Sequence, residues 1–153
     1  MILQGRPRLR QLRAQQVDCN ILSKYSSIEG ACFGGEDATS YGPGEIWRWI
    51  SEYNLDGTSY WGYTNPIYPG SGFVINFPSP RSATATTDLS NLINLLQSNN
   101  SIDMATRVVF AEMVFYDSDD NFFEVVTVTF EFPLAGGSHP ILLSLSIGTL
   151  QIF

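Results

Sequence analysis

No long uninterrupted apolar run occurs in these 153 residues. Ser, Thr, Gly or Glu breaks every apolar stretch within about ten residues, whereas crossing a bilayer takes roughly 20. The chain therefore contains no transmembrane helix. Its opening, MILQGRPRLRQLR, has no hydrophobic leader core, so no signal peptide is expected. An excised extracellular piece of a membrane protein would read the same way. Histidine is scarce: His139 is the only one. With no HExxH, no CxxC and no Cys/His cluster, no metal site is expected. A nucleophile elbow is also missing. Gly30-Ala31-Cys32-Phe33-Gly34-Gly35 is Gly-rich but lacks the Lys-Ser/Thr ending of a phosphate cradle. A Cys–His enzyme would rest on Cys32 and His139 with no third group to orient them. No residue is assigned a catalytic or cofactor-binding role, no cofactor is expected, and an enzyme is not expected.

Charge is low as well, at 15% of residues, with 15 acids against 8 bases and a net charge of −7. An acidic chain with few lysines makes a poor nucleic-acid binder, but it can concentrate cations near its surface. Apolar residues make up 44%, which is globular composition and enough for one domain, residues 1–153, with a sizeable core. Cysteine is limited to Cys19 and Cys32, flanking a short polar loop. They read either as two free thiols in a reducing compartment or as a local disulfide. Closing a loop of this size would add about 3 kcal/mol in the chain-entropy model. Spacing alone leaves both readings open.

What is present centres on Thr106 to Gly137, two long strands joined by an acidic turn. In the first, Val109, Ala111, Met113 and Phe115 share one face and Val108, Phe110, Glu112, Val114 and Tyr116 the other. Both faces are largely apolar, which predicts an inner strand covered on both sides. In the second, Phe122, Val126, Val128, Phe130 and Phe132 share a face with Glu124. The opposite face carries Thr127, Thr129 and Glu131 and is expected to be wetter. Asp117 to Asn121 form the turn. Asp117, Asp119, Asn121 and Glu124 offer oxygen ligands, but the span is too short for an EF-hand and lacks its central glycine. A solvated hairpin tip is the better reading.

Elsewhere, Leu89, Leu92, Ile93 and Leu96 repeat at helical spacing and predict a helix over 86–97, capped by Thr86 or Thr87 and lying on one face of the sheet. Phe73, Ile75 and Phe77 predict a short strand. Leu143, Leu145 and Ile147 predict a last strand running to Phe153. Arg6, Arg8, Arg10 and Arg13 are half the basic residues and sit in one segment whose periodicity fits strand or helix. A basic segment of this kind suits a membrane surface. The block 46–63 holds Trp47, Trp49 and Trp61 with Tyr53, Tyr60 and Tyr63. Packing, a protein interface or a sugar-stacking platform would each use such rings. The fold class is α+β: an antiparallel sheet of about five strands packed against helices, with long irregular loops and a hairpin extension.

The order of these segments resembles the extracytosolic TOP, or polycystin, domain of polycystin cation channels, in the polycystin-2 branch of the TRP superfamily. PRLRQLR at Pro7 to Arg13, YGPG at Tyr41 to Gly44, LDGTSYWG at Leu55 to Gly62 and YPGSGFVINF at Tyr68 to Phe77 carry the resemblance. The ribbon carries it most strongly, through Thr-Arg, Tyr-x-x-x-x-Asn-x-Phe and Glu-Phe-Pro-x-x-Gly-Gly. Mucolipins have a related lumenal domain, but these motifs fit polycystins better.

The resemblance implies a domain between the first two membrane helices of a homotetrameric cation channel, one that mediates subunit assembly and modulates gating without containing a pore. It implies a Cys19–Cys32 disulfide and makes the sequon at Asn99 usable for glycosylation. Trp47, Trp49, Tyr53, Tyr60, Trp61 and Tyr63 become candidates for a subunit interface. The expected partners are like subunits, a polycystin-1-like subunit in a heteromer, and extracellular or ciliary proteins. The membrane would be reached through flanking helices. The expected location is the extracellular or lumenal side of a ciliary, plasma or endoplasmic reticulum membrane. The alternative is an extracellular carbohydrate- or ligand-binding module using the Trp/Tyr-rich loop.

Overall fold

The computed structural model describes residues 1–17, 32–34, 46–55, 59–63, 67–133 and 137–148. The chain forms β1 (Ile2–Arg13), β2 (Gln15–Val17), β3 (Cys32–Gly34), β4 (Arg48–Ile50), a one-turn helix α1 (Glu52–Leu55), β5 (Tyr60–Trp61) and β6 (Ile67–Tyr68). It continues through β7 (Gly72–Asn76), α2 (Ala85–Ser98), β8 (Thr106–Asp117), β9 (Phe122–Glu131) and β10 (His139–Gly148). The main sheet runs β10-β9-β8-β1-β7-β4, and all its pairings are antiparallel. β2 pairs with β3, and β5 with β6, as separate ribbons.

The main sheet therefore has six strands among the described residues, not five. The addition is β4, three residues inside the aromatic block, too short for alternation to show in the sequence. The arginine-bearing segment resolves as the 12-residue β1, between β7 and β8. Gly5 adopts φ 67°, a left-handed conformation that costs glycine little, where the β1–β8 register shifts between Gln4 and Arg8.

β8 lies inside the sheet, between β1 and β9. Val108, Val109 and Phe110 are buried on alternate faces, as a strand covered on both sides requires. One face packs under α2: Leu92 and Leu96 sit against Trp47, Phe73 and Ile75. The other face lies under the β5–β6 hairpin, with Leu12, Val108, Phe110 and Tyr68 in one cluster.

β9 corrects the expectation of a wet face. Thr129 and Glu131 are 0% exposed, whereas Phe130, opposite, is 38% exposed. The β5–β6 hairpin covers the Thr/Glu side, while α2 packs at the other end of the sheet and leaves the Phe130 side open. The cap of α2 differs too. Thr84, not Thr86 or Thr87, is the N-cap, and its hydroxyl donates to Asp88 at 2.6 Å rather than accepting a backbone amide. Asn100 closes the helix at φ 46°, where its short polar side chain is tolerated. β10 starts earlier than expected, at His139, and residues 149–153 of the expected strand lie outside the described residues.

Candidate functional site

The aromatic block divides into rings that pack and rings that face solvent. Trp47 is 8% exposed and donates its indole N–H to Ser101 Oγ at 3.3 Å. Trp49 on β4 pairs with Phe73 and meets its ring edge-on at 5.0 Å. Tyr60 stacks on Tyr68 across the hairpin and meets Phe110 edge-on at 5.5 Å. Burial pushes the Tyr60 hydroxyl above its ordinary pKa, and the nearby Glu131 carboxylate adds to this. By contrast, Tyr53, Trp61 and Tyr63 are 91%, 67% and 73% exposed. Tyr60 and Trp61 are consecutive strand residues, so their side chains must take opposite faces. On α1, Leu55 turns inward while Tyr53 turns outward.

Tyr63 is anchored although its ring is exposed. Its backbone N–H donates to Glu131 Oε1 at 2.7 Å, and its ring lies 5.1 Å from that of His139. Gly62 permits this approach: a Cβ there would stand 2.8 Å from both Glu131 Oε1 and the Tyr68 ring. Glu131 gave no signal of this role in the sequence beyond its place in the Glu-Phe-Pro signature.

Beside the hairpin lies a charged cluster that the strand pattern of β1 predicts only in part. Arg8 and Arg10 share a face, and both donate to Glu112, Arg8 Nε to Oε2 and Arg10 Nε to Oε1 at 3.5 Å. Arg10 also donates to the carbonyls of Pro69 and Ser71, and its guanidinium lies 3.8 Å over the Phe110 ring. Burial lowers the Arg10 guanidinium from its ordinary pKa, and Glu112 opposes that shift. Arg13 is buried and pairs with Asp103 at 2.6 Å.

The acidic tip behaves as turn chemistry. Asp117 Oδ1 accepts the Asp119 amide at 3.0 Å, and Tyr116 donates to Asn121, which sits at φ 52°. Asp119 and Asp120 are exposed. Cys32 opens β3, its backbone paired with Val17, while Cys19 lies outside the described residues. Asn99 is the exposed C-cap of α2, and the sequon's Ser101 is buried beneath Trp47. Among the described residues no helix is long and apolar enough to cross a membrane.

Comparison with known proteins bears on what these features serve. The family model for the Polycystin domain matches residues 1–148. Polycystin-2 of Danio rerio is 32% identical over 146 residues, covering 91% of this chain and 16% of that protein. Polycystin-2-like protein 1 of Homo sapiens is 31% identical, covering 91% of this chain and 17% of that protein. Polycystin-2 of Caenorhabditis elegans is 28% identical, covering 97% of this chain and 21% of that protein. The chain thus spans only a small part of the length of these relatives. The match runs from the arginines of β1 through the central ribbon into β10, and the chain belongs to the polycystin domain family.

Proposed function

We propose that the chain is the extracytosolic domain of a polycystin-type cation channel, which joins like subunits into a homotetramer and modulates gating above a pore supplied by the rest of the protein. The observation that carries this reading is the family match across residues 1–148 together with polycystin-2 relatives more than four times longer. Exposed Tyr53, Trp61 and Tyr63 supply surface of the type enriched at interfaces. Tyr60 packs beneath the β5–β6 hairpin, Trp49 borders both core clusters, and Trp47 belongs to the cluster under α2 on the other face of the sheet. A Cys19–Cys32 disulfide belongs to the reading. Pairing of Val17 with Cys32 brings the chain two residues before Cys19 against the second cysteine, which favours a short bridge. A glycan on Asn99 would stand at the exposed end of α2. A heteromer with a polycystin-1-like subunit, contacts to ciliary proteins and a ciliary, plasma or reticulum membrane belong to the same proposal.

The test is assembly of the full-length protein. Tyr53→Ala, Trp61→Ala and Tyr63→Ala together are expected to shift the tetramer toward smaller species in mass photometry while the protein still folds. An unchanged tetramer sinks the interface assignment. A carbohydrate-binding module is the second reading, favoured by the exposure of Trp61 and Tyr63. Glycan-array binding abolished by Trp61→Ala would support it.

A further inference from the structure

The β5–β6 hairpin stops short of covering its face of the sheet, and the uncovered part is a groove of unusual charge. Arg8 pairs with Glu112, Glu112 with Thr127, and Thr127 with Leu143, so these four form one row across four strands. Val114 and Val125 form the next row outward. Ser59 and Tyr60 stand along the opposite side. The space between them has a volume of about 520 Å³, within the range of roughly 300–1,000 Å³ typical of small-molecule sites.

One end of the groove is cationic. Arg6, Arg8 and Arg10 line it, and Glu112 is the one carboxylate among its lining residues. The two oxygens of Glu112 already serve Arg8 and Arg10. Arg6 is exposed and makes no hydrogen bond or ion pair among the described residues. Glu52, just beyond the lining, accepts a hydrogen bond from Ser59 and also acts on Arg10, so three guanidiniums face two carboxylates and one positive charge remains in surplus, in a chain whose net charge is −7. Like charges this close repel, and a bound anion offsets that repulsion. The other end of the groove is apolar, formed by Val114, Val125 and Leu143, with Leu143 44% exposed. An inorganic anion would leave those side chains in water. A neutral apolar ligand would leave the guanidinium surplus unanswered.

We propose that this groove binds an amphiphilic oxyanion, with a carboxylate or phosphate head held by Arg6 and Arg8 and an apolar chain lying over Val114, Val125 and Leu143. The proposal does not rest on the assembly reading: a monomer carries the whole site. Guanidinium groups suit such a head because their N–H donors can take two oxygens at once.

The test uses the full-length protein in nanodiscs of neutral phosphatidylcholine, irradiated with a diazirine-tagged dodecanoate, with the labelled peptides mapped by mass spectrometry. Label is expected on peptides holding Phe110 to Tyr116, Phe123 to Val128 and Ile141 to Leu145. Untagged dodecanoate and dodecyl phosphate compete it away, and dodecanol does not. Arg6→Glu lowers labelling by about tenfold, through loss of a charge-assisted contact, while Arg6→Lys retains most of it. Leu143→Asp, at an exposed position, also lowers it. Adding phosphatidic acid to the nanodisc separates two sources of the same chemistry: lost labelling marks a bilayer-borne headgroup, and retained labelling marks a free acid. Equal competition by dodecanol overturns the proposal. So does labelling of these peptides that is unchanged in both Arg6→Glu and Leu143→Asp.

Discussion

The Glu131 carboxylate, 0% exposed, accepts the backbone N–H of Tyr63 at 2.7 Å. This bond ties the end of β9 to the segment that follows β5, and so places exposed Tyr63 and Trp61 on the rigid sheet. A buried carboxylate is tolerated only where donors meet it. The cost of removing it therefore falls on the groups left behind.

Glu131→Ala leaves the Tyr63 amide without this acceptor and opens space beneath the hairpin. We expect a loss of about 1–3 kcal/mol, the scale of a partly buried donor losing its acceptor. Glu131→Gln keeps an acceptor oxygen and nearly the same volume, and should lose clearly less. Urea denaturation of the two variants gives the comparison. Equal losses would show that charge, rather than the acceptor, holds the segment.

Gly62→Ala introduces a methyl group 2.8 Å from Glu131 Oε1 and from the Tyr68 ring. Because the nearest atoms belong to a buried acid and a packed ring, they have little room to yield. The expected cost is about 1–3 kcal/mol, as for overpacking of a core. Thermal unfolding measures it, and a wild-type midpoint would show that the hairpin moves away freely.

Trp47 and Trp61 should separate stability from assembly. Trp47→Ala empties a site packed on Phe73, Ile75, Leu92 and Leu96; the expected loss is about 3–5 kcal/mol. Trp61→Ala removes a ring that is 67% exposed, so stability should change by no more than about 0.5 kcal/mol, while the proposed subunit assembly should weaken. Denaturation and sizing on the same two variants check this.

Tyr60 makes stability depend on pH at the alkaline end. Burial raises its folded pKa above the ordinary value of 10.0. Below that value the phenol is protonated in both states, and its contribution is fully present. As pH rises past 10.0 the unfolded phenol ionises first, so stability falls until the folded value is passed. Tyr60→Phe should flatten this part of the profile. Denaturation midpoints collected from mildly alkaline pH to beyond that point give the slope, and an identical slope in the variant refutes the assignment.

Much of the architecture was legible because it is written in local periodicity. The alternation of Val108, Val109 and Phe110 marked a strand buried on both faces, and Leu92 and Leu96 marked the helix that covers one of them. The acidic turn declared itself through residues that bond their own backbone, as Asp117 does to Asp119. Less legible was β4, whose three residues are too few to show a period. The helical stripe was only half informative: Leu89 and Ile93, on the same stripe as Leu92 and Leu96, are 39% and 42% exposed. Periodicity identifies a face, but not how far the opposing surface extends.

Residue order by itself determined the strand–turn–strand ribbon, the amphipathic helix, the acidic charge balance and the family, since each of these depends on neighbours in the chain. Tertiary structure alone decided which aromatic rings are surface, that the Thr129 and Glu131 side of β9 is the dry one, and that three arginines of β1 line one groove with Glu112 and Leu143. Those outcomes depend on strand pairing and ribbon docking between segments far apart in sequence. Arg8 meets Glu112 across 104 positions, and Tyr63 meets Glu131 across 68. A turn fixes the register of a hairpin, but β1 and β8 are joined by none, so their register follows from which faces the assembled sheet buries.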